Sequence, residues 1–190
     1  MNKHKKGFSI VETMVAITVL LIGVVAPMSL AADGVRAARL SQDQIVAFYL
    51  AQEGIELVKN KRDNNKISVT NQPQMAGMED CLYDPLAGGS QRYCYIDPID
   101  MSVSPCASDD CPALGRINDG VGTDDFYLYT YQLGAEETKY VRVISAWYVD
   151  PVTGDKTGTQ QNEAIVEVTV RWPFVGGAKE HTVRNVLTDW

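Results

Sequence analysis

Lys5-Lys6-Gly7-Phe8-Ser9-Ile10-Val11-Glu12-Thr13 leads directly into an apolar segment that ends at Ala32. Residues 13 to 32 carry no charge, and a helix needs about 20 such residues to cross the hydrocarbon core of a membrane. Three lysines precede the segment: Lys3, Lys5 and Lys6. This basic arm predicts a single membrane span whose N-terminus stays in the cytoplasm, with the chain beyond Asp33 on the other side.

Glu12 is the residue that a simple membrane span does not explain. A carboxylate in lipid costs several kcal/mol unless it is paired or protonated, so it marks a functional hypothesis. One interpretation is a secretory signal peptide that is cut near Ser29-Leu30-Ala31. A second is a plain membrane anchor. Neither of these two interpretations gives the acid a role, and a third is needed.

The run from Lys5 to Glu12, followed by an apolar helix, resembles the class III signal of type IV pilins and of type II secretion pseudopilins. In that family a membrane peptidase cuts after the glycine and methylates the new N-terminal residue. The resemblance therefore implies cleavage between Gly7 and Phe8 and N-methylation of Phe8. The new α-amine is cationic near neutral pH. Glu12 of one subunit can pair with this amine on its neighbour in a filament core, and the pairing would fix the register.

The resemblance also implies partners and a location. The partners are other pilin subunits, the prepilin peptidase and the inner-membrane assembly platform, with membrane lipid around the helix before assembly. The precursor is expected in the bacterial cytoplasmic membrane and the assembled subunit in an extracellular or periplasmic filament. Loss of the three leader lysines lowers the formal charge of the side chains from -7 to -10. An acidic surface of this kind does not indicate nucleic acid as a partner.

The composition, with 45% hydrophobic and 22% charged residues, is that of a folded protein. Gly23 and Pro27 predict a kink in the membrane helix. After Asp33 the helix becomes amphipathic, and apolar residues recur at three- and four-residue steps until the helix ends near Arg62. This predicted stripe contains Val35, Ala38, Ile45, Tyr49, Ile55 and Val58.

The C-terminal part of the chain has the pattern of β-strands. Aromatic and β-branched residues alternate over 126–133, 140–148, 164–172 and 181–187, and turn residues separate these runs. The predicted fold class is α+β, with one long N-terminal helix packed on an antiparallel sheet of about four strands. The predicted segments are a leader at 1–7, a transmembrane assembly helix at 8–32, its amphipathic half at 33–63, an irregular cysteine-containing region at 64–125 and the sheet at 126–190.

All four cysteines lie in the irregular part of the exported region: Cys81, Cys94, Cys106 and Cys111. An even number in an exported domain predicts two disulfides. Pairing of nearest neighbours is the simplest of the three possible connectivities. A four-cysteine zinc site is the alternative, but the two pairs do not both show the two-to-four-residue spacing that such sites favour.

The loop at 118–125 is rich in oxygen ligands and is a weak calcium candidate through Asp119, Asp124 and Asp125. Its spacing is not that of a helix-loop-helix calcium site, so a solvated turn is the preferred interpretation. No cofactor is predicted. His4 lies in the leader and His181 in a predicted edge strand, and no Gly-rich phosphate loop is present, so the sequence predicts no enzyme.

These observations predict a minor pilin-like structural subunit of a type IV pilus or a related envelope filament. A pseudopilin of type II secretion is an alternative within the same class. A signal-anchored extracellular binding domain that never polymerises is the alternative from another class. Glu12 separates the filament subunits from the anchored domain, because only polymerisation supplies its carboxylate with a cationic partner.

Overall fold

The computed structural model describes residues 7, 9–68, 75–86, 88–118, 127–159 and 161–188. Among the predicted features, Phe8, Phe126 and the calcium candidates Asp119, Asp124 and Asp125 lie outside these residues. The chain divides into two compact units, Met1–Gln42 and Asp43–Trp190, which we call unit 1 and unit 2. The two units are described separately below.

The described residues form one long helix, a short 3-10 turn and eight strands. The helix α1 spans Ile10–Ser68 and the 3-10 turn spans Glu79–Cys81. The strands are β1 (Cys94–Ile96), β2 (Val103–Pro105), β3 (Ala113–Asn118), β4 (Tyr127–Thr130), β5 (Glu136–Val149), β6 (Lys156–Thr157), β7 (Glu163–Phe174) and β8 (Gly177–Thr188). The predicted α+β class is confirmed, whereas the prediction of about four strands is too low.

Helix α1 ends at Ser68 and not near Arg62 as predicted. Asparagine normally favours helix ends because its side chain competes for backbone hydrogen bonds. Here the Asn64 amide donates to Asn60 Oδ1 at 2.6 Å and the Asn65 amide donates to the Ala76 carbonyl at 2.8 Å. Both side chains are bound elsewhere, so the helical backbone continues past them.

The sheet of unit 2 is organised around β5, the longest strand. One edge of β5 pairs antiparallel with β7, and β7 pairs in turn with β8. The other edge of β5 pairs with β3, β1 and β6 at successive positions along the strand. The three short strands β1, β2 and β3 lie in the region that the sequence predicted to be irregular. They are too short to give a periodic signal, and pairing with the β5 edge and with one another stabilises them.

The inner face of the sheet packs on the helix of unit 2. On β7 the side chains alternate, and Ala164, Val166, Val168 and Val170 are fully buried. The helix contributes small or branched residues from one stripe: Ala47, Leu50, Ala51, Gly54 and Val58. A Cβ added at Gly54 would lie 2.8 Å from Val168 Cγ1, so glycine is required for this close approach.

Part of the predicted helix stripe is wrong. Ile55 and Val58 are buried as expected, but Ile45 and Tyr49 are 57% and 67% exposed. Their apolar character placed them in the stripe, while the actual contact is marked by the small residues Ala47 and Ala51. Small side chains let the helix backbone approach the sheet, and a count of large apolar residues overlooks them.

A buried arginine joins the helix to two strands in unit 2. The Arg142 side chain is fully buried, and its guanidinium donates to Glu53 Oε2 at 2.8 Å. It also donates to the Ile96 carbonyl at 3.1 Å and the Leu50 carbonyl at 3.4 Å. A buried charge is tolerated only when it is paired and hydrogen-bonded. These contacts therefore fix the relative position of the helix, β1 and β5.

A second buried polar group lies beside the first. Asp97 accepts hydrogen bonds from the Thr130 hydroxyl at 2.9 Å and from the Tyr131 backbone amide at 3.0 Å. The Tyr131 hydroxyl donates to the Arg142 carbonyl at 3.4 Å, and burial raises the pKa of Tyr131 to about 12. Together these bonds connect the loop after β1, the end of β4 and the middle of β5.

Two disulfides join Cys81 to Cys94 and Cys106 to Cys111, which is the nearest-neighbour pairing. All four thiols are used in these bonds, so they are not available as zinc ligands. The first bridge is buried in the core, where it ties the 3-10 turn to β1. The second closes a short loop between β2 and β3.

We expect the two disulfides to contribute unequally to stability. The sequence separations are 13 and 5 residues. Loop-closure entropy then predicts how much unfolding free energy each double variant loses. The loss is about 3 kcal/mol when Cys81 and Cys94 are both replaced by alanine, and about 2 kcal/mol when Cys106 and Cys111 are both replaced. The free energy of unfolding is measured with urea on the full chain in detergent, followed by tryptophan fluorescence. A larger loss for the second pair would contradict this account.

Candidate processing and assembly segment

The predicted cleavage position lies just before the first residue of α1. Gly7 is exposed and lies outside the helix, which begins at Ile10. The Ser9 carbonyl accepts the first helical hydrogen bond, from the Thr13 amide at 3.1 Å. A peptidase must bind the chain around the scissile bond, and an exposed glycine ahead of a helix requires no unwinding for this.

Unit 1 exposes a nearly continuous apolar surface. The side chains of Ile10, Leu20 and Leu30 are 79%, 67% and 72% exposed, and the other large apolar residues between them are also exposed. Soluble monomers rarely expose an apolar patch of this size. Within the described residues, α1 is the one helix that is long and apolar enough to cross a membrane. An exposed apolar helix of this length fits a membrane-anchored precursor.

The hydroxyl groups in this segment have partners inside the helix, but the carboxylate does not. Thr13 donates to the Ile10 carbonyl at 2.7 Å and Thr18 donates to the Val15 carbonyl at 2.8 Å. Within the described part of the chain, Glu12 forms no ion pair. It lies in the first turn of α1, where the helix dipole favours negative charge.

Gly23 and Pro27 are coupled by helix geometry. Proline lacks the amide that would bond to the carbonyl four residues earlier, and here that carbonyl belongs to Gly23. The residues on both sides of Pro27 remain helical. The kink at this point stays a prediction. Glycine is the residue that best tolerates the missing bond, because it has no side chain to crowd the displaced carbonyl.

Comparison with protein families gives one match in this segment. Residues 2–26 match the model of the prokaryotic N-terminal methylation motif. This chain carries a prokaryotic N-terminal methylation motif. The methylation motif contains the basic arm, Gly7, Phe8, Glu12 and Gly23, and it ends just before Pro27. Searches of curated proteins and of solved structures found no match.

The methylation motif supports a type IV pilin-like or pseudopilin precursor. It implies processing by prepilin peptidase and assembly with other pilin subunits in general. Together with the exposed apolar helix, it fits a membrane-anchored precursor. The motif covers the start of the chain and ends well before unit 2, so it carries no information about the function of unit 2.

The sheet of unit 2 carries His181 on one face and an open groove on the other. His181 packs its ring 5.6 Å from the Phe48 ring on the inner face of β8. An open groove of about 590 Å³ on the outer face contains Arg171 and Arg184. Arg184 pairs with Glu167, and Arg171 pairs with Asp109 and lowers the pKa of that carboxyl. These charges neutralise one another across neighbouring elements, which is the behaviour of a stable surface ladder.

The described residues also contain no group of three or more acidic, histidine or cysteine side chains that could hold a metal ion. The calcium candidates lie outside the described part of the chain, so calcium binding stays a prediction.

Two residues that hold the helix and the sheet of unit 2 together were not predicted from the sequence. Arg142 is the one charged residue in the stretch 140–149 of β5, and Gly54 is the one glycine in the part of α1 that belongs to unit 2. Such isolated residues are the signal that would have pointed to them.

Proposed function

We propose that this chain is a minor pilin-like structural subunit of a type IV pilus or a related envelope filament. The methylation motif at residues 2–26 is the observation that carries the proposal. The exposed apolar helix with Glu12 in its first turn supports it, because packing in a filament covers the apolar surface and supplies a cation. No catalytic role is proposed for the chain.

Maturation follows from the chemistry of the first residues. Prepilin peptidase cuts the chain between Gly7 and Phe8, and methylation leaves a secondary amine on Phe8. The amine carries a positive charge near neutral pH. In the filament it pairs with Glu12 of a neighbouring subunit, which removes the cost of a lone carboxylate in an apolar environment. A subunit that docks one step out of register leaves both charges unpaired, so the pair also selects the correct register.

The same segment would serve a type II secretion pseudopilin equally well, because the methylation motif is the part that both classes share. The distinction is in the assembled structure. A pilus subunit is recovered in filaments sheared from cells, while deletion of a pseudopilin blocks export of secreted proteins. A membrane-anchored binding domain that does not polymerise is less well supported, since it gives Glu12 no partner.

The mature N-terminus provides the direct test of processing. We expect mass spectrometry of protein isolated from its own host to show a chain that begins at Phe8 and carries one added methyl group. Gly7→Leu should leave the precursor uncut, because a bulky side chain replaces the small residue at the cleavage point. A mature chain that begins at Ala32 would overturn the proposal in favour of a secretory signal peptide.

A further inference from the structure

The groove on the outer face of the unit 2 sheet has a polar floor. The floor consists of side chains that lie opposite each other on neighbouring strands. Thr169 on β7 faces Thr182 on β8, and their hydroxyl oxygens are 2.9 Å apart. In the adjacent row, Glu167 on β7 lies between Ser145 on β5 and Arg184 on β8. The floor therefore presents hydroxyl, carboxylate and guanidinium groups in rows, with about 5 Å between neighbours in a row.

A tyrosine and a disulfide-closed loop border this groove. Tyr93 immediately precedes β1, and its side chain lines the groove. Its carbonyl accepts a hydrogen bond from the Cys106 amide at 2.8 Å, where the loop closed by the second disulfide begins. Within that loop, Asp109 accepts a hydrogen bond from the Arg171 guanidinium at 2.8 Å. These contacts hold the Tyr93 backbone and the Arg171 side chain in place, and preorganisation of this kind lowers the cost of binding a ligand.

Ser145 brings a buried hydroxyl to the floor of the groove. The residue is only 3% exposed, and its side chain lines the groove. Within the described part of the chain, this hydroxyl forms no hydrogen bond to another protein group. A buried polar group without a partner costs free energy. A molecule in the groove that bonds to the Ser145 hydroxyl removes this cost.

The charges of the groove favour a neutral ligand. Arg184 pairs with Glu167, and Arg171 pairs with both Asp109 and Glu180. The guanidinium groups are thus neutralised and offer no surplus positive charge to an anion, and each carboxylate already faces a cation. These ion pairs still have unused N–H donors and carboxylate lone pairs. A ligand rich in hydroxyl groups matches them, because each hydroxyl both donates and accepts hydrogen bonds.

We propose that this groove binds a neutral saccharide. The Tyr93 ring packs against the C–H face of one sugar ring, since tyrosine combines an apolar ring with a polar end. The Ser145 hydroxyl and the arginine–glutamate pairs bond to the sugar hydroxyls. The groove volume of about 590 Å³ lies within the range of about 300 to 1,000 Å³ that is usual for ligand sites. This inference concerns unit 2 alone and is independent of processing and polymerisation.

The first test uses an array of neutral, acidic and amino-bearing oligosaccharides. The array is probed with the full-length chain in a polyoxyethylene detergent, which has no sugar headgroup to compete. We expect binding to neutral members, and we expect their affinity to stay unchanged when the salt concentration is raised, because no net charge is neutralised on binding. Binding to acidic or amino-bearing members alone overturns the proposal. Absence of binding to every neutral member overturns it as well.

Substitutions then show whether the saccharide lies in the groove. Isothermal titration uses the neutral oligosaccharide that binds most tightly on the array. We expect Tyr93→Ala to weaken its affinity about tenfold and Ser145→Ala about fivefold. Tyr127→Ala is the matched control, because Tyr127 is a partly exposed strand tyrosine that does not line the groove.

Urea unfolding of each variant reports whether the fold is kept. Ser145→Ala removes a single oxygen atom, so it decides the question if Tyr93→Ala also destabilises unit 2. Unchanged affinity of the Ser145→Ala protein, or equal losses of affinity for Tyr93→Ala and Tyr127→Ala, overturns the groove as the saccharide site.

Discussion

Replacing Glu12 by alanine is expected to lower the recovery of this subunit in sheared filaments by about a hundredfold or more. Removal of one member of a buried ion pair leaves the other charge uncompensated and costs about 3 to 5 kcal/mol. Each 1.4 kcal/mol corresponds to about a tenfold change in affinity. The amount of subunit in sheared filaments is compared with the amount in the membrane fraction by immunoblotting.

The Glu12 variant keeps the features that hold the precursor in the membrane. Alanine extends the apolar segment, and unit 2 has its own core that begins at Ala47. We therefore expect normal levels in the membrane fraction and normal cleavage before Phe8. Thr13→Val is the matched control, since the Thr13 hydroxyl bonds within its own helix. Full incorporation of the Glu12→Ala protein would disprove the pairing of Glu12 with a neighbouring subunit.

Replacing Arg142 by alanine is expected to reduce the free energy of unfolding of unit 2 by about 3 to 4 kcal/mol. The change removes a charge that is fully buried against Glu53 and leaves the Ile96 carbonyl without its donor. It also leaves a cavity against the helix. Native domains are stable by only about 5 to 15 kcal/mol, so much of unit 2 would unfold at moderate urea.

Arg184→Ala provides a matched control for the Arg142 variant. Both arginines lie in strands and pair with a glutamate, but the Arg184 side chain is 69% exposed. An exposed pair contributes about 1 kcal/mol or less. Urea unfolding of the full chain in detergent, followed by tryptophan fluorescence, compares the two. Equal losses of unfolding free energy for the two variants would show that burial of the Arg142 pair does not contribute to stability.

The methylation motif was predictable from the sequence because its signals are local. A cleavage signal is a run of consecutive residues, and a membrane responds to the length and charge of one segment. Glu12 was noticed because it is a charged residue with apolar neighbours. In the proposed filament the partner of Glu12 belongs to another molecule, so neither the sequence nor the fold of one chain contains it.

The strands show the same contrast. A pattern within one segment could be recognised in the sequence, whereas pairing between distant segments could not. The runs that became β5, β7 and β8 were located within a few residues, because aromatic and β-branched residues mark all three. β7 buries every second side chain, whereas β5 buries every residue from Arg142 to Tyr148. The strands β1, β2 and β3 were missed. Each is six residues or fewer and forms because an edge of β5 or a neighbouring short strand offers hydrogen bonds. Pairing partners of this kind are not visible in the short segments themselves.

The sequence by itself predicted the apolar segment, the methylation motif, the α+β class and the approximate places of the long strands. The tertiary structure decided which face of the helix is buried and which residues fix the sheet to it. The contact between Glu53 and Arg142 joins residues 89 positions apart. Such a contact depends on how two surfaces fit, and on small residues such as Gly54 that allow the fit. Local periodicity cannot specify that fit, because it describes one element without the element against which it packs.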